Sequence, residues 1–155
     1  MRTTFQFIID ARKAFISLLD ELSLEELNQV PTGFNNNIIW NFGHIVVSTQ
    51  TLCYVRTGIK ENTSFVKYLE AYKKGSKPSY VVSAEEVAEL KALAINSIEQ
   101  IEADYNNGLF NNIQPYGTAT FGATLNSFAE VLITTAGHDN LHFGYALAQR
   151  RTIQK

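Results

Sequence analysis

Cysteine, histidine and net charge are all scarce in this chain of 155 residues. The single cysteine, Cys53, excludes an internal disulfide and fits a reducing compartment. Charged residues make up 18% of the sequence and nearly cancel, for a formal net charge of -2, so the basic face that a nucleic-acid partner needs is missing. Arg150, Arg151 and Lys155 do gather at the C-terminus, where they complement the dipole of a last helix. No apolar run is long enough to cross a bilayer, and Asp10, Arg12 and Lys13 interrupt the apolar stretch that a signal peptide would need. The expectation is a cytoplasmic protein with no nucleic-acid and no membrane partner. Repeats and low-complexity tracts are also missing, and β-alternation is confined to a possible short hairpin between Gly117 and Leu125. What the chain does have is 45% hydrophobic residues, enough for the core of one domain over residues 1–155.

Those hydrophobic residues recur at helical spacing. Phe5, Ile8, Ile9, Phe15, Ile16 and Leu19 predict a helix from about Thr3 to Leu22. The capping box Ser23-Leu24-Glu25-Glu26 starts a short extra turn, and Pro31, Thr32 and Gly33 break the chain. A second helix begins at the run Asn35-Asn36-Asn37, whose side chains can cap it, and ends before Gly58. A third follows Ser83-Ala84-Glu85-Glu86, with the stripe Val87, Leu90, Ala94, Ile98, Ile101 and Tyr105. A fourth follows Ser127-Phe128-Ala129-Glu130 and runs to about Arg150. Four such helices predict an all-α four-helix bundle. The stretch from Gly58 to Val82, with a further short helix between Phe65 and Lys73, can return along the bundle, so the order up-down-down-up is expected. The connection from Asn106 to Leu125 is also long, and long ordered loops often cover a site.

Only three histidines occur, and two of them, His138 and His142, stand four residues apart in the fourth helix. Imidazoles at i and i+4 lie one above the other on one helix face. With His44 from a facing helix they would complete a three-nitrogen metal site that keeps a position open, as catalytic sites do. At about 100° per residue, Asn37, Trp40, His44, Ser48 and Thr51 fall within roughly 40° of one line, with Asn41 beside them. Val131, Thr134, His138, His142, Tyr145 and Gln149 make the matching line on the fourth helix, flanked by Thr135. Hydroxyls and amides on both faces suit a wet pocket of substrate size. Cys53 is about half a turn away from His44 in angle and is rejected as a ligand.

Gly43, Gly137 and Gly144 lie next to the histidines inside helices, where glycine costs roughly 1 kcal/mol against alanine. Close approach of helices around a metal would explain them. Asp139 directly follows His138, as the glutamate does in H-E-x-x-H sites, and is a candidate general base or a residue that supports the ligands. Arg12 shares a face with Phe5, Ile8 and Leu19. Turned inward it would meet an anionic substrate, whereas the ordinary fate of such an arginine is to snorkel to solvent.

The combination Asn37-x-x-Trp40-x-x-Gly43-His44-Ile45 and, much later, His138-x-x-x-His142-x-Gly144 resembles the DinB/YfiT-like superfamily. The resemblance covers nearly the whole chain, including the Tyr116 to Gly122 loop and the Gln149-Arg150-Arg151 ending. It implies a four-helix bundle and a three-histidine site for a divalent metal, often zinc or nickel, with His44, His138 and His142 as ligands. It also implies a homodimer. Relatives of known activity include S-transferases and isomerases that use a low-molecular-weight thiol. The family commonly has glutamate where this chain has Asp139.

Three functions fit these residues. A metal-dependent transferase would join a low-molecular-weight thiol to an electrophilic small molecule, because a metal on neutral imidazoles stabilises the nucleophilic thiolate. Ser48, Thr51, Thr134 and Tyr145 would then orient the electrophile, with Asn41 beside them, Trp40 as an apolar wall and Arg12 as a partner for an anion. A metal-dependent hydrolase would activate water at the same ion and needs Asp139 as proton acceptor. A non-catalytic metal- or small-molecule-binding protein would hold the ion without turnover.

Overall fold

The apolar stripe of the N-terminal segment folds as α1, Arg2–Asp20, and buries Phe5, Ile8, Ile9, Phe15, Leu18 and Leu19. Arg12 stands in the same buried stripe. In this computed structural model, which describes residues 1–120 and 122–154, four further helices start where capping residues predict. Ser23 and Glu26 close a reciprocal box on α2, Leu24–Asn28. Asn37 accepts a hydrogen bond from the amide of Trp40 and opens α3, Ile38–Gln50. Ser83 caps α5, Ala84–Asn106, and Ser127 and Glu130 form a second reciprocal box on α6, Phe128–Ile153. Such caps hold backbone donors that the first helical turn leaves without partners, each worth about 1 kcal/mol.

Between these lie a π-helical turn, Thr51–Val55, a single turn α4, Leu69–Tyr72, and a two-residue hairpin of β1, Tyr116–Gly117, and β2, Thr124–Leu125. The hairpin is antiparallel and pairs Tyr116 with Leu125. Lys155 of the C-terminal cations, and Phe121 within the Tyr116 to Gly122 loop, lie outside the described residues.

The protein is predominantly helical, and its four long helices pack side by side, with α1 and α3 each lying against both α5 and α6. One apolar cluster centres on Phe15, Phe42, Val46 and Leu90, and a second on Ile98, Phe110, Phe128 and Leu132. Eleven of the thirteen residues of α3 are buried, so this helix has no solvent face. The reason lies in the connections: α2 packs on one part of α3, and α4, midway along the long segment between α3 and α5, packs on another. That segment lays Tyr72 against the helix that carries His44. Among the described residues no helix is long and apolar enough to cross a membrane.

Arg12 does not snorkel. Its side chain is fully buried and its guanidinium is held by Asp139 Oδ2 at 2.7 Å, by the Ala94 carbonyl at 2.7 Å and by Thr49 Oγ1 at 2.6 Å. An aliphatic stem can reach water only where a helix borders it, and position 12 faces α3, α5 and α6 together. The orientation towards an anionic substrate is corrected as well, since the anion that Arg12 meets is the protein's own Asp139.

Candidate metal centre

Helical spacing puts His138 above His142 on α6, and the packing of α3 on α6 brings His44 to both. The ring centroids are 4.6 Å apart for His138 and His142, 4.6 Å for His44 and His142, and 5.1 Å for His44 and His138. One ligand atom from each lies within 4.8 Å of the others.

Two of the three rings are oriented by acceptors that decide which nitrogen is free. His44 Nδ1 lies 2.6 Å from the carbonyl oxygen of Tyr72, which only accepts, so Nδ1 carries the proton and Nε2 the lone pair. His142 Nδ1 lies 2.7 Å from Asn41 Oδ1. The Asn41 amide nitrogen donates to the Asn37 carbonyl and Gln149 Oε1, so its oxygen is the acceptor here too and His142 also presents Nε2. Metal-binding histidines commonly have this kind of partner behind them. Indole and imidazole planes of Trp40 and His44 stack at 4.7 Å with an angle of 9°.

Burial also sets the charge. Desolvation lowers the pKa of His44 and of His138 to about 4, and that of His142 to about 3, so all three are neutral near pH 7. Neutral, pre-oriented imidazoles whose nitrogens converge are what a divalent ion requires, and the residues present fit one. A carboxylate ligand is not among them.

Two hollows meet at this cluster and share His44, His138, Lys74 and Thr120. The first, about 360 Å³, has Ser48, Thr51 and Thr134 in its wall, beside the apolar side chains of Val47, Leu52 and Leu69. The second is wider, about 710 Å³, and is bordered by Asn35, Asn36, Asn41, Trp40, His142 and Tyr145. Among the site residues expected from the sequence, Ser48, Thr51 and Thr134 are thus gathered on one side of the histidines. Trp40, Asn41 and Tyr145 are gathered on the other. Asn41 also has the separate task of holding His142.

Asp139 and Arg12 line neither hollow. Adjacent residues of a helix differ by about 100° in direction, so Asp139 points away from the histidine face and into the interior, where it is only 2% exposed. The role of proton acceptor expected for Asp139 is corrected on this ground, because its Oδ2 is tied to Arg12. Cys53 is buried outside the histidine cluster, and desolvation pushes its thiol up to about 12. It supplies neither a ligand nor a thiolate.

The glycines divide. A Cβ on Gly43 would come within 2.5 Å of the Tyr72 ring, so glycine is needed there for α4 to approach, not for helices to close on a metal. Around Gly144 nothing lies within 4 Å, and the close approach expected there does not occur.

Sequence reading missed Tyr72, Arg56, Lys73, Lys74 and Thr120. The Tyr72 contribution is a backbone carbonyl, which no side-chain pattern can signal. Lys73, Lys74 and Thr120 lie on the two long connections, where no periodicity says which residues face inward, and Arg56 ends a π-helical turn that shifts it out of the expected helical register.

The class that this arrangement defines is a helical protein with a three-histidine centre open to two hollows. The chain matches the DinB superfamily over residues 8–146 and belongs to it. No curated protein matches the chain.

Proposed function

We propose that the protein is a divalent-metal-dependent transferase that joins a low-molecular-weight thiol to an electrophilic small molecule. The observation that carries this reading is the meeting of two adjoining hollows at one three-histidine cluster, an arrangement with room for two small molecules at the same point. When bound, the ion supplies a positive charge that favours the thiolate over the thiol. The protein contributes no reactive thiol of its own, since Cys53 is buried and fully protonated at neutral pH. The sulfur nucleophile must therefore come from a second substrate.

In this reading His44, His138 and His142 hold the ion through neutral nitrogens, and Tyr72 and Asn41 keep His44 and His142 in place. Ser48, Thr51 and Thr134 orient the electrophile in the narrower hollow. Trp40, stacked on His44, and Tyr145 border the thiol in the wider one. A carbon–sulfur bond forms as the bond to the leaving group breaks; the leaving group takes that electron pair, and the thiol proton passes to water. Zinc and nickel are the ions proposed. An up-down-down-up helix order, a homodimer and a cytoplasmic setting belong to the same reading; the length of the connection between α3 and α5 supports the first, the family resemblance the second and the single cysteine the third.

The test is loss of an electrophile with a leaving group, such as 1-chloro-2,4-dinitrobenzene, with protein loaded with zinc or nickel, with and without added thiol. Thiol-dependent loss that disappears in His138→Ala is expected. Loss without thiol would point to a hydrolase instead. Stoichiometric metal with neither activity across thiol and ester panels would leave a binding protein.

A further inference from the structure

A single π-helical turn follows α3, and its consequence falls on Arg56. In an uninterrupted α-helix, five residues turn through about 500°, so Arg56 would point roughly 140° away from Thr51. The wider turn instead joins the Arg56 amide to the Thr51 carbonyl at 3.0 Å, one above the other, and both residues line the narrower hollow. Such turns are rare and frequently mark functional sites. Although Arg56 is exposed, its guanidinium is held: Nη2 donates to the Gly117 carbonyl at 3.0 Å, and the group lies 5.0 Å from the centre of the Tyr116 ring.

A second cation is placed through the backbone. The Tyr72 carbonyl is fixed by His44, and Lys74, two residues on, lines both hollows. Lys73 lines the narrower one but is paired with Glu70. Neither Arg56 nor Lys74 has an acidic partner among the described residues, and no carboxylate lines this hollow. That is a marked bias in a chain with 15 acidic and 13 basic residues. Apolar walls at Val47, Leu52 and Leu69 complete a space with a charged end and an oily body.

We propose that the narrower hollow receives a molecule with a carboxylate on an apolar body, bound by Arg56 with Lys74 as a second charge. The inference rests on the transferase reading only in calling that molecule the electrophilic substrate. An arginine offers several donors in a planar fork, which suits a carboxylate better than a point charge does.

The probe is 4-phenylbutyrate, titrated beside its uncharged amide into the protein as purified and after removal of metal by a chelator. With wild type, the carboxylate should bind about tenfold more tightly than the amide in both preparations, as a charge-assisted hydrogen bond implies. Arg56→Gln should collapse that preference and leave amide binding unchanged; Lys74→Gln should reduce it about two- to threefold. Equal binding of acid and amide by wild type would overturn the proposal. So would a preference that needs the metal and ignores Arg56→Gln, since the carboxylate would then sit on the ion. A retained carboxylate preference without thiol-dependent turnover would remove the transferase reading and leave the anion site standing.

Discussion

His138 and Asp139 are neighbours in the chain and both are buried, yet they belong to opposite kinds of polar interior. Asp139 faces Arg12, whose guanidinium reaches all three of the other long helices: Asp139 on α6, Ala94 and Ser97 on α5, Thr49 and Ile45 on α3. Nearly every donor and acceptor there is matched; Asp139 Oδ1 alone lacks a partner among the described buried side-chain atoms. His138 and His44 face both hollows and His142 the wider one. His44 and His142 each have Nδ1 held by an acceptor, while Nε2 of His142 has no partner among the described residues and Nε2 of His44 meets only the Ser48 hydroxyl at 3.3 Å. A buried polar cluster sealed in the interior with its donors taken fixes how helices pack, whereas one with unused lone pairs open to a cavity is able to bind. The difference between structural and functional polarity lies in what is left over, not in burial.

The largest effect should come from breaking the sealed side. Arg12→Ala leaves the Asp139 carboxylate buried without its counter-charge, and removing one partner of such a pair costs about 3–5 kcal/mol. Urea unfolding of the metal-free protein measures it. Arg12→Met combined with Asp139→Leu should recover most of the loss, because an apolar pair of similar volume needs no desolvation of charge. A loss below about 1 kcal/mol in Arg12→Ala would show that the pair does not hold the helices together.

His138→Ala should behave in the opposite way. Without metal its stability at pH 7 should stay within about 1 kcal/mol of wild type, because the ring borders a hollow and removing it leaves no sealed cavity. With zinc at 100 times its dissociation constant, wild type gains about 2.7 kcal/mol and the variant gains nothing. Thermal melts with and without zinc separate the two. The pH dependence sharpens the contrast. The histidine pKa values fall from 6.5 in the unfolded chain to about 4 for His44 and His138 and about 3 for His142 in the folded one. The unfolded state therefore binds more protons in that window. Stability is fully present above pH 6.5 and is lost as pH falls from there towards 4. Metal-free wild type should show this fall and His138→Ala a shallower one; identical slopes would mean that His138 does not titrate as a buried group.

The helices, their caps and the three histidines were legible because each leaves a local signature: a 3.6-residue stripe, Ser before Glu or a run of Asn, a four-residue spacing. Arg12 was misread for an equally physical reason. Periodicity places a residue on a face, but only tertiary packing decides whether that face meets water or three other helices. Asp139 was misread by analogy with a motif in which the acid turns towards the metal, although one residue of rotation turns this one away. Tyr72, Arg56 and Lys74 left no signal, since they act through a backbone carbonyl, a π turn and the course of a long connection.

Gly43→Ala tests whether the polar support behind His44 matters. The new methyl group meets the Tyr72 ring, which is 2% exposed and hydrogen-bonded to Glu86 at 2.5 Å, so it cannot swing aside freely. Overpacking of this kind costs about 1–3 kcal/mol. A displaced Tyr72 also moves the carbonyl that holds His44, and loss of such a partner weakens metal affinity about 10–100-fold. Competition with a chromogenic chelator reads that change. Unaltered affinity in a destabilised variant would separate the packing of α4 from the metal centre.

The smallest effect, and the one of opposite sign, belongs to the other glycine beside a histidine. Gly144 lies in the interior of α6, with open space where a Cβ would project, so Gly144→Ala adds no clash. Alanine narrows the unfolded ensemble and favours the helix, a gain of about 0.4–1 kcal/mol. The midpoint of urea unfolding should rise, while zinc affinity stays as in wild type because neither His142 nor Asn41 is disturbed. One substitution made at two glycines beside histidines should thus destabilise at position 43 and stabilise at 144. A loss of stability at 144 would mean that another surface comes down on that face of α6 in solution.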